Sequence, residues 1–530
     1  MIRCGEFSVE NLWIQRGLPF RPIMDAETVF RRRWAILGVM SLSLVIVMLN
    51  NVTLNVALPE LSKDLQADNT ELQWIMDAYA LIFGGTLLVM GAIGDRFGRK
   101  GALQLGLIMV AGASALTALY ADSSNDVIAA RAVMGLGAAL VMPATLSVVV
   151  VVFPPEERGK AVGIWAAMAG VGAPIGLIVG GWAVENYDWQ MVFWINVPII
   201  IIALLLGLIL VPKTKDEKER PLDPIGAFIS VAALGSILYA IIEGPSVGWT
   251  SSEILGIGAL GVILSAIFVS WERRVEFPML PLDFFKDKGF TMGLVALMLT
   301  FYVMFSFMFT QMLHFQLVRE HTALEAALRF LPLPIGLMPA AANSDRLVEK
   351  FGSNNVVATG LTLVTIGMLI FTTVTIDTDY TKLALIFFLL GLGMGLTMAP
   401  ATTLVMDSIP ADKAGVGSAT NDTSREIGGA LGIAIGGSVL NEYYQRNMVV
   451  PEGLEYLGRL PFESFPAAME IGGGLVGEGN LLGAQLIENA QLAFVEGMVA
   501  SVYVAAAIAF IAAILVKRFM PSRIIYSEGE

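Results

Sequence analysis

The chain has 530 residues, of which 56% are hydrophobic and only 15% are charged. A soluble domain is about 45–50% apolar and about 25% charged, so this composition excludes a soluble enzyme and a disordered scaffold. One cysteine and two histidines exclude a disulfide-stapled module and a thiolate or histidine metal site, and the net charge of −13 argues against nucleic-acid binding. The apolar residues suffice for about fourteen membrane spans of ~20 residues each.

The apolar runs predict an all-α polytopic membrane protein with 14 transmembrane helices. The predicted spans are 34–57, 72–92, 101–121, 127–152, 160–184, 191–212, 224–243, 254–271, 290–316, 324–343, 355–376, 381–407, 414–440 and 490–516. The first run begins too far from the N-terminus for a cleavable signal peptide, so we expect it to remain as a span. Most of the lysines and arginines fall in alternate loops, which predicts that both termini are cytoplasmic.

Two similar turns indicate an internal repeat. Residues 91–100 follow the second span and 343–352 follow the tenth, and both combine Asp-Arg with further basic residues and a glycine. Repeats of this kind are typical of secondary transporters, whose substrate site lies between the halves. The predicted parts are a cytoplasmic segment 1–33, a six-helix bundle 34–212, two inserted helices within 213–289, a second six-helix bundle 290–516 with an extracellular loop 441–489, and a cytoplasmic tail 517–530.

The turn 91–100 has the chemistry of a latch. Its glycines permit a sharp turn between two helix ends, and an aspartate can accept hydrogen bonds from a helix N-terminus or from the arginines. We predict that the turn holds the helix ends together in one conformational state. The alternative is an ordinary basic loop, which explains the arginines but not the spacing of glycine and aspartate. The predicted latch residues are Gly91, Asp95, Arg96, Gly98 and Arg99, with Asp345 and Arg346 in the second turn.

Two further spans carry polar or glycine-rich motifs. Arg131 precedes Gly135 and Gly137 in the fourth span, and an arginine at that depth faces a partner or a wet cavity unless it merely reaches the membrane surface. In the fifth span, small residues form a smooth face for a neighbouring helix and a proline kinks the backbone, although plain packing is the alternative. These residues are Gly172, Pro174, Gly176, Gly180 and Gly181.

Together with Leu-Asn-Asn-Val-Thr-Leu-Asn-Val-Ala-Leu-Pro at 49–59, these motifs resemble the major facilitator superfamily, and specifically its fourteen-helix drug:proton antiporters of the multidrug and quaternary-ammonium exporter type. The resemblance covers nearly the whole chain. It implies two six-helix bundles with two inserted helices, no cofactor beyond the proton gradient, and a place in the bacterial cytoplasmic membrane. It also implies that Arg131 couples protonation to transport and that the fifth-span motif serves exchange.

One position departs from the family pattern. The aspartate that the family carries in the first span falls on Asn50, and a carboxamide carries neither a proton nor a negative charge. If that aspartate is a proton or cation site in relatives, this chain uses another carboxylate, couples differently or accepts a narrower range of substrates.

Acidic residues within spans are the candidates for proton and cation coupling. Asp77 lies between Trp74 and Tyr79, which suits a lipophilic cation through charge compensation and cation–π contact. The alternative places Asp77 at the outer membrane surface. Asp422 and Glu426 are four residues apart and share one helix face with Arg425, either as a coupling pair or as a gating cluster at the cytoplasmic end. Glu243, at an outer helix end, is predicted to be either a structural residue or an entrance charge.

The predicted substrate cavity combines polar, aromatic and methionine side chains. Methionine and phenylalanine adapt to irregular apolar ligands, although they are equally common in plain packing. The cavity residues are Asn50, Asn55, Trp74, Tyr79, Met304, Phe305 and Met308. In the loop 441–489, 441–446 and 482–488 are predicted to be helical around a flexible glycine-rich centre, 472–479. The loop forms either a hairpin that caps the cavity or a passive spacer.

These observations predict a proton-driven exporter of hydrophobic, cationic drugs or antiseptics. We expect it to bind small lipophilic substrates, protons and membrane lipids, to need no metal and to act as a monomer. A second hypothesis keeps the fold but exports an endogenous lipid, siderophore or metabolite. A membrane-embedded lipid-modifying enzyme would need an acidic metal–diphosphate cluster or a nucleophile with a base, and the sequence contains neither motif. A receptor or channel would not require the repeated turn.

Overall fold

A computed structural model describes residues 26–214, 223–280, 282–376, 378–409 and 414–522. These residues are mostly α-helical and contain no β-strand. Within this part of the chain, twelve helices are long and apolar enough to cross a membrane. The predicted class, an all-α polytopic membrane protein, is therefore confirmed.

Within the described residues, the first half of the chain and the inserted pair form ten helices. They are α1 (Ala26–Val52), α2 (Leu54–Asp64), α3 (Asn69–Phe97), α4 (Arg99–Tyr120), α5 (Ser124–Val152), α6 (Pro155–Asn186), α7 (Met191–Trp194), α8 (Asn196–Leu210), and the inserted pair α9 (Pro224–Val247) and α10 (Ser252–Glu272).

The second half begins with a short 3₁₀ turn and contains a π-helical turn, His314–Val318. Its helices are α11 (Lys288–Leu313), α12 (Ala323–Arg329), α13 (Pro332–Phe351), α14 (Ser353–Phe371), α15 (Tyr380–Asp407), α16 (Ala414–Asn447), α17 (Leu460–Glu463), α18 (Phe465–Gly477) and α19 (Leu481–Phe519).

Local chemistry sets the helix boundaries. The predicted first span divides into α1 and α2 at Thr53, whose hydroxyl donates to the carbonyl oxygen of Leu49 at 2.6 Å. Asp68 caps the N-terminus of α3 in a reciprocal pair with Glu71, which satisfies backbone N–H groups that lack a helical partner. Gly98, at φ 121°, ends α3 and begins α4, because this backbone conformation strains any residue with a Cβ. The helix α1 begins at Ala26, so the predicted segment 1–33 ends within it.

Two more long helices pack among the twelve. The helix α6 has 32 residues and lies against α1, and α16 has 34 residues and lies against α11. At ~1.5 Å per residue both exceed the thickness of a bilayer core, ~30 Å. Three charged residues, Asp422, Arg425 and Glu426, lie within one turn of α16 and lower its hydropathy.

The two halves repeat one packing scheme. In the first half α3 and α4 pack on α5 and α1 packs on α6; in the second half α13 and α14 pack on α15 and α11 packs on α16. The backbone N–H of Arg99, after Gly98, donates to Thr214 beyond α8 at 3.0 Å. The N–H of Ser353, after Gly352, donates to Ser522 beyond α19 at the same distance. The same connection thus closes each half.

The glycine motif of the fifth span also occurs twice. In α6, Gly172 and Gly176 lie against Met48 and Leu49 of α1, and Gly180 lies against Thr53. Pro174 lies inside the same helix. In α16, three glycines at the same four-residue spacing lie against the backbone or side chains of α11. These three are Gly428, Gly432 and Gly436, which meet Met298, Tyr302 and Ser306 respectively.

The halves meet closely at one end of the bundle. A Cβ on Gly181 of α6 would lie 2.7 Å from the Cα of Leu324 in α12. Gln316 Nε2 donates to the carbonyl oxygen of Val56 at 3.0 Å, and Asn69 Nδ2 donates to Asn441 Oδ1 at 3.4 Å. Since α3 runs from Asn69 towards Asp95, this closed end is opposite the predicted latch.

The long loop after α16 contains a helical hairpin. The prediction of a flexible centre at 472–479 was wrong, because α18 continues through Gly472 to Gly477. The glycines permit a close helix crossing: a Cβ on Gly483 of α19 would lie 2.6 Å from the carbonyl oxygen of Gly472. Since α18 also contacts α2, the hairpin covers the closed end of the bundle.

Candidate functional site

Arg131 holds three helices of the first half together. Its side chain is only 1% exposed. The guanidinium Nε donates to the carbonyl oxygen of Ile75 on α3 at 3.0 Å, and Nη1 donates to that of Asn50 on α1 at 2.9 Å. Its Cζ atom lies 4.3 Å from the centre of the Tyr79 ring. The arginine is therefore an interior cation rather than one that reaches the membrane surface.

A glycine one turn along α5 makes this arrangement possible. A Cβ on Gly135 would lie 2.5 Å from the carbonyl oxygen of Tyr79, so α5 and α3 approach too closely for a larger residue. The Tyr79 hydroxyl donates to the carbonyl oxygen of Val47 at 3.3 Å and fixes the ring under the guanidinium. Arg131 thus supplies the charge, and Gly135, one turn later, lets α5 approach α3 closely enough for that charge to be buried.

Asp77 is a buried carboxylate beside this arginine. The residue has no exposed surface, and among the described residues neither carboxylate oxygen has a hydrogen-bond partner. Arg131 supplies its attractive charge. The flanking aromatics face elsewhere: Trp74 Nε1 donates to Glu243 Oε1 at 3.1 Å, and Tyr79 faces Arg131. Both rings therefore contact partners other than Asp77, and a cation site between them stays a prediction.

Asn50 joins the Arg131 cluster through both its backbone and its side chain. Its Nδ2 donates to the carbonyl oxygen of Ile46 at 2.9 Å, and its Oδ1 accepts from Asn196 Nδ2 of α8 at 3.3 Å. Asn55, 1% exposed, donates to the carbonyl oxygen of Val52 at 3.1 Å and stabilises the break between α1 and α2.

Glu426 brings an acid of the second half into this cluster. A Cβ on Gly84 of α3 would lie 2.9 Å from the Cβ of Glu426, so α16 lies directly against α3 at this point. The Asn51 side chain lies beside the carboxylate, which interacts electrostatically with Arg131 and Asp422. Sequence reasoning missed Asn51 and Gly84; the Gly84-Gly85 pair within a span was the available signal.

Asp422 lies one turn before Glu426 and faces an arginine. Arg425 Nη1 is 3.5 Å from Asp422 Oδ1, and Arg425 Nη2 donates to Thr402 Oγ1 of α15 at 2.8 Å. The side chains of Asp422 and Arg425 are 13% and 26% exposed, so both are partly buried. The two acids of α16 and the arginine between them therefore face the interior of the protein.

The aromatic residues of α11 lie beside these charges. Phe305 stacks on Phe301 with ring centres 6.2 Å apart, and a Cβ on Gly429 would lie 3.3 Å from the Phe305 ring. Phe301, which the sequence did not single out, lies under the guanidinium of Arg425. Met304 and Met308 are partly buried and pack against the main hydrophobic core.

The turn after α3 forms the predicted internal ion pair. Arg99 Nε donates to Asp95 Oδ1 at 2.7 Å, and a Cβ on Gly91 would lie 3.2 Å from Pro143 of α5. Arg96 lies over the ring of Phe97 at 5.4 Å. The arrangement ties α3, α4 and α5 together at the end opposite the closed one.

The second turn is displaced by one helical turn from its predicted alignment. Asp345 and Arg346 are exposed on α13, seven and six positions before Gly352. The residue three positions before Gly352, equivalent to Asp95 before Gly98, is Glu349. The Phe-Gly pairs at 97–98 and 351–352 define the true register of the repeat.

The comparisons with known proteins decide the family. The model of the Major Facilitator Superfamily matches residues 40–433. The chain belongs to this superfamily.

Among its relatives is the multidrug efflux pump LfrA of Mycolicibacterium smegmatis, 32% identical with 92% of this chain and 96% of the relative covered. The tetracenomycin C resistance and export protein of Streptomyces glaucescens is 28% identical, with coverage of 91% and 90%. The methyl viologen resistance protein SmvA of Salmonella typhimurium is 30% identical, with coverage of 80% and 86%.

A solved structure shares the fold of this superfamily member. A bacterial homologue of the human lysosomal transporter Spinster, in an inward-facing and unoccupied conformation, aligns with a TM-score of 0.64 at 16% identity. The alignment covers 93% of this chain and 99% of that one. The protein is thus a multi-pass transporter of the bacterial cytoplasmic membrane and not an enzyme.

One further acid of this superfamily member lies away from the central cluster. Glu243 of α9 lines a cavity of about 470 Å³ together with Asp68, Glu71, Trp74 and Tyr239. The cavity lies at the closed end, where the inserted helix α9 packs on α3. Glu243 thus lies beside a cavity, and its role as an entrance charge stays a prediction.

Proposed function

We propose that the protein exports hydrophobic cations in exchange for protons. The observation that carries the proposal is the meeting of Glu426, from the second half, with the Arg131 cluster of the first half. The relatives named for multidrug efflux and for resistance to methyl viologen support a drug as cargo. Superfamily transporters of this kind generally need no cofactor, and we propose the proton gradient as the driving force.

The charges of the site explain why proton and cation would compete. Asp77, Asp422 and Glu426 are three carboxylates in a largely apolar interior, beside the cations Arg131 and Arg425. A carboxylate in such surroundings needs a bound proton or a nearby cation to compensate its charge. A cationic substrate beside Asp422 and Glu426 therefore favours release of a proton, and protonation favours release of the substrate.

The fold supplies two surfaces on which the halves can move. The glycine faces of α6 and α16 permit close sliding against α1 and α11. We propose that the structure is closed towards the outside, because the halves meet at the end opposite the Asp95 turn. We further propose fourteen membrane-spanning helices, α6 and α16 included, with both termini in the cytoplasm.

The proposed parts keep the predicted bounds. The bundles 34–212 and 290–516 move against each other, and α9 of the inserted pair contacts α3 of one bundle and α16 of the other. Each protein acts as a monomer in contact with lipids, because both bundles and the meeting point of their charges belong to one chain.

Transport in inverted membrane vesicles tests this function. We expect uptake of tetraphenylphosphonium and methyl viologen when the vesicle interior is acidic, and loss of uptake when a protonophore collapses the gradient. Asp77→Asn, Asp422→Asn and Glu426→Gln should each lower the rate, whereas Asp345→Asn, on an exposed surface, should not.

Unchanged transport in all three neutralised variants, or full transport without a gradient, would contradict the proposal. If the folded protein protects a hypersensitive host against none of these cations, an endogenous lipid, siderophore or metabolite becomes the better cargo. The uncharged Asn50 would suit that result.

A further inference from the structure

Arg425 occupies a position with the chemistry of a binding site for an organic cation. Its guanidinium Cζ lies 5.5 Å from the centre of the Phe301 ring, and its Nη1 lies 3.5 Å from Asp422 Oδ1. Thr402 Oγ1 accepts a hydrogen bond from Arg425 Nη2 at 2.8 Å. An aromatic face, a carboxylate and a hydroxyl are the groups that proteins use to hold a quaternary or planar cation.

Apart from the hydrogen bond to Thr402, the contacts of the partly buried Arg425 are long. The ion pair with Asp422 exceeds hydrogen-bond length, and Phe301 lies near the outer limit of a cation–π contact. The Nε atom is buried and has no hydrogen-bond partner among the described residues. Arg131, by contrast, donates at 2.9 and 3.0 Å and lies 4.3 Å from its aromatic ring.

We propose that Arg425 is a tethered competitor of the substrate. In the empty transporter its guanidinium occupies the cation subsite formed by Asp422 and Phe301, and an arriving cation displaces it. The proposal rests on the proposed export of cations and names the residue that sets their affinity. With no substrate bound, Arg425 compensates one carboxylate of the pair and a proton compensates the other, and the arginine weakens the binding of every cation that takes its place.

The alternative is that Arg425 braces α16 against α15 through Thr402. The two roles differ in the sign of the effect when the charge is removed. A brace that is lost disorders the site and weakens binding, whereas a competitor that is lost strengthens the binding of cations and leaves neutral ligands unaffected.

Equilibrium binding to the purified full-length protein tests the proposal without requiring a proton gradient. In Arg425→Gln we expect the Kd for tetraphenylphosphonium to fall about tenfold, with the Kd for neutral chloramphenicol, where it binds, unchanged within about twofold. Guanidinium ion at millimolar concentration should then compete with tetraphenylphosphonium in the variant, because it fills the vacated position. An unchanged or higher Kd for tetraphenylphosphonium would overturn the proposal.

Three further variants keep the outcome interpretable. Arg425→Lys retains the charge and should keep the Kd within about twofold of the unmodified protein; a tenfold gain there would contradict a role for charge. Adding Asp422→Asn to Arg425→Gln should cancel the gain, and Arg425→Met replaces Arg425→Gln if the latter does not fold. A gain in cation affinity without gradient-driven transport would leave this inference standing and overturn only the proton coupling.

Discussion

Asn50 occupies the position at which the resemblance to the family leads us to expect an aspartate, and its surroundings explain how an amide is accommodated. Its carbonyl oxygen accepts from Arg131, and its side chain bonds to Asn196 and to the carbonyl oxygen of Ile46. The amide of Asn50 is therefore satisfied by hydrogen bonds, and Arg131 interacts electrostatically with the acids Asp77 and Glu426.

Restoring the acid in Asn50→Asp should favour divalent substrates. A new carboxylate near the cluster attracts a divalent cation more strongly than a monovalent one, and roughly 1 kcal/mol is expected at an effective dielectric constant near 20. The transport ratio of methyl viologen to tetraphenylphosphonium should rise about three- to tenfold, measured as initial rates in vesicles. Asn50→Ala, which removes the amide without adding charge, is the control, and an unchanged ratio in Asn50→Asp would count against this account.

Charged residues of the site were predictable and their uncharged neighbours were not. Arg131, Asp77, Asp422 and Glu426 draw attention because charge is rare within a membrane span. Phe301, Thr402, Asn51 and Gly84 are ordinary residues of such spans, and only the packing of α1, α3, α11 and α15 shows that they lie beside the charges. In the same way, the contact of Trp74 with Glu243 could not be predicted, because the inserted helix α9 brings Glu243 next to the indole N–H.

Among the helices, the glycine face of α16 packs on α11 as the glycine face of α6 packs on α1, so the two halves are built alike. A Cβ on Gly432 would overlap the carbonyl oxygen of Tyr302 on α11. Gly432→Ala should therefore lower the free energy of unfolding by about 1–3 kcal/mol through overpacking, and transport should fall with it. Gly112→Ala on α4 is the matched control because a Cβ there meets no atom within 4 Å. Equal melting temperatures for Gly432→Ala and Gly112→Ala would contradict the close packing of α16 on α11.

The turn after α3 provides a second test at this scale. Asp95 pairs with Arg99, which is 5% exposed, whereas Asp345 is exposed. Asp95→Asn removes a charge-assisted hydrogen bond of about 1.5–3 kcal/mol and should slow transport about tenfold. Asp345→Asn should stay within about twofold of the unmodified rate in the same vesicle assay. Equal losses of transport in Asp95→Asn and Asp345→Asn would support the alignment of Asp345 with Asp95 that the sequence alone suggested.

The elements themselves were largely readable from hydropathy, but their ends and registers were not. The glycine motif of α6 is recognisable in the sequence. Its counterpart at 428, 432 and 436 has the same spacing, but only the contact with α11 identifies that counterpart as the equivalent packing face. The run around Gly472 looked flexible because isolated glycines weaken a helix; the crossing with Gly483 supplies the packing that offsets this weakness.

For the molecule as a whole, transport by alternating access requires the closed end of the bundle to open. Asn69 of α3 and Asn441 of α16 lie on different halves and touch through their side chains. In a protein with Cys4→Ser, a disulfide between Asn69→Cys and Asn441→Cys should abolish transport, and a reductant should restore it. A disulfide between Asn355→Cys and Lys517→Cys, both in the second half, is the control and should leave transport intact. Transport through the cross-linked first pair would rule out rocking of the halves.

The central claim is that a cation and a proton exclude each other at Asp422 and Glu426. The direct measurement is proton release when saturating tetraphenylphosphonium is added to the purified protein in a weakly buffered detergent solution with a pH indicator. We expect the unmodified protein and Asp345→Asn to release protons. Glu426→Gln and Asp422→Asn, which still bind the cation, should release fewer protons or none. Saturating binding without proton release, or the same release from all four proteins, would contradict the central claim.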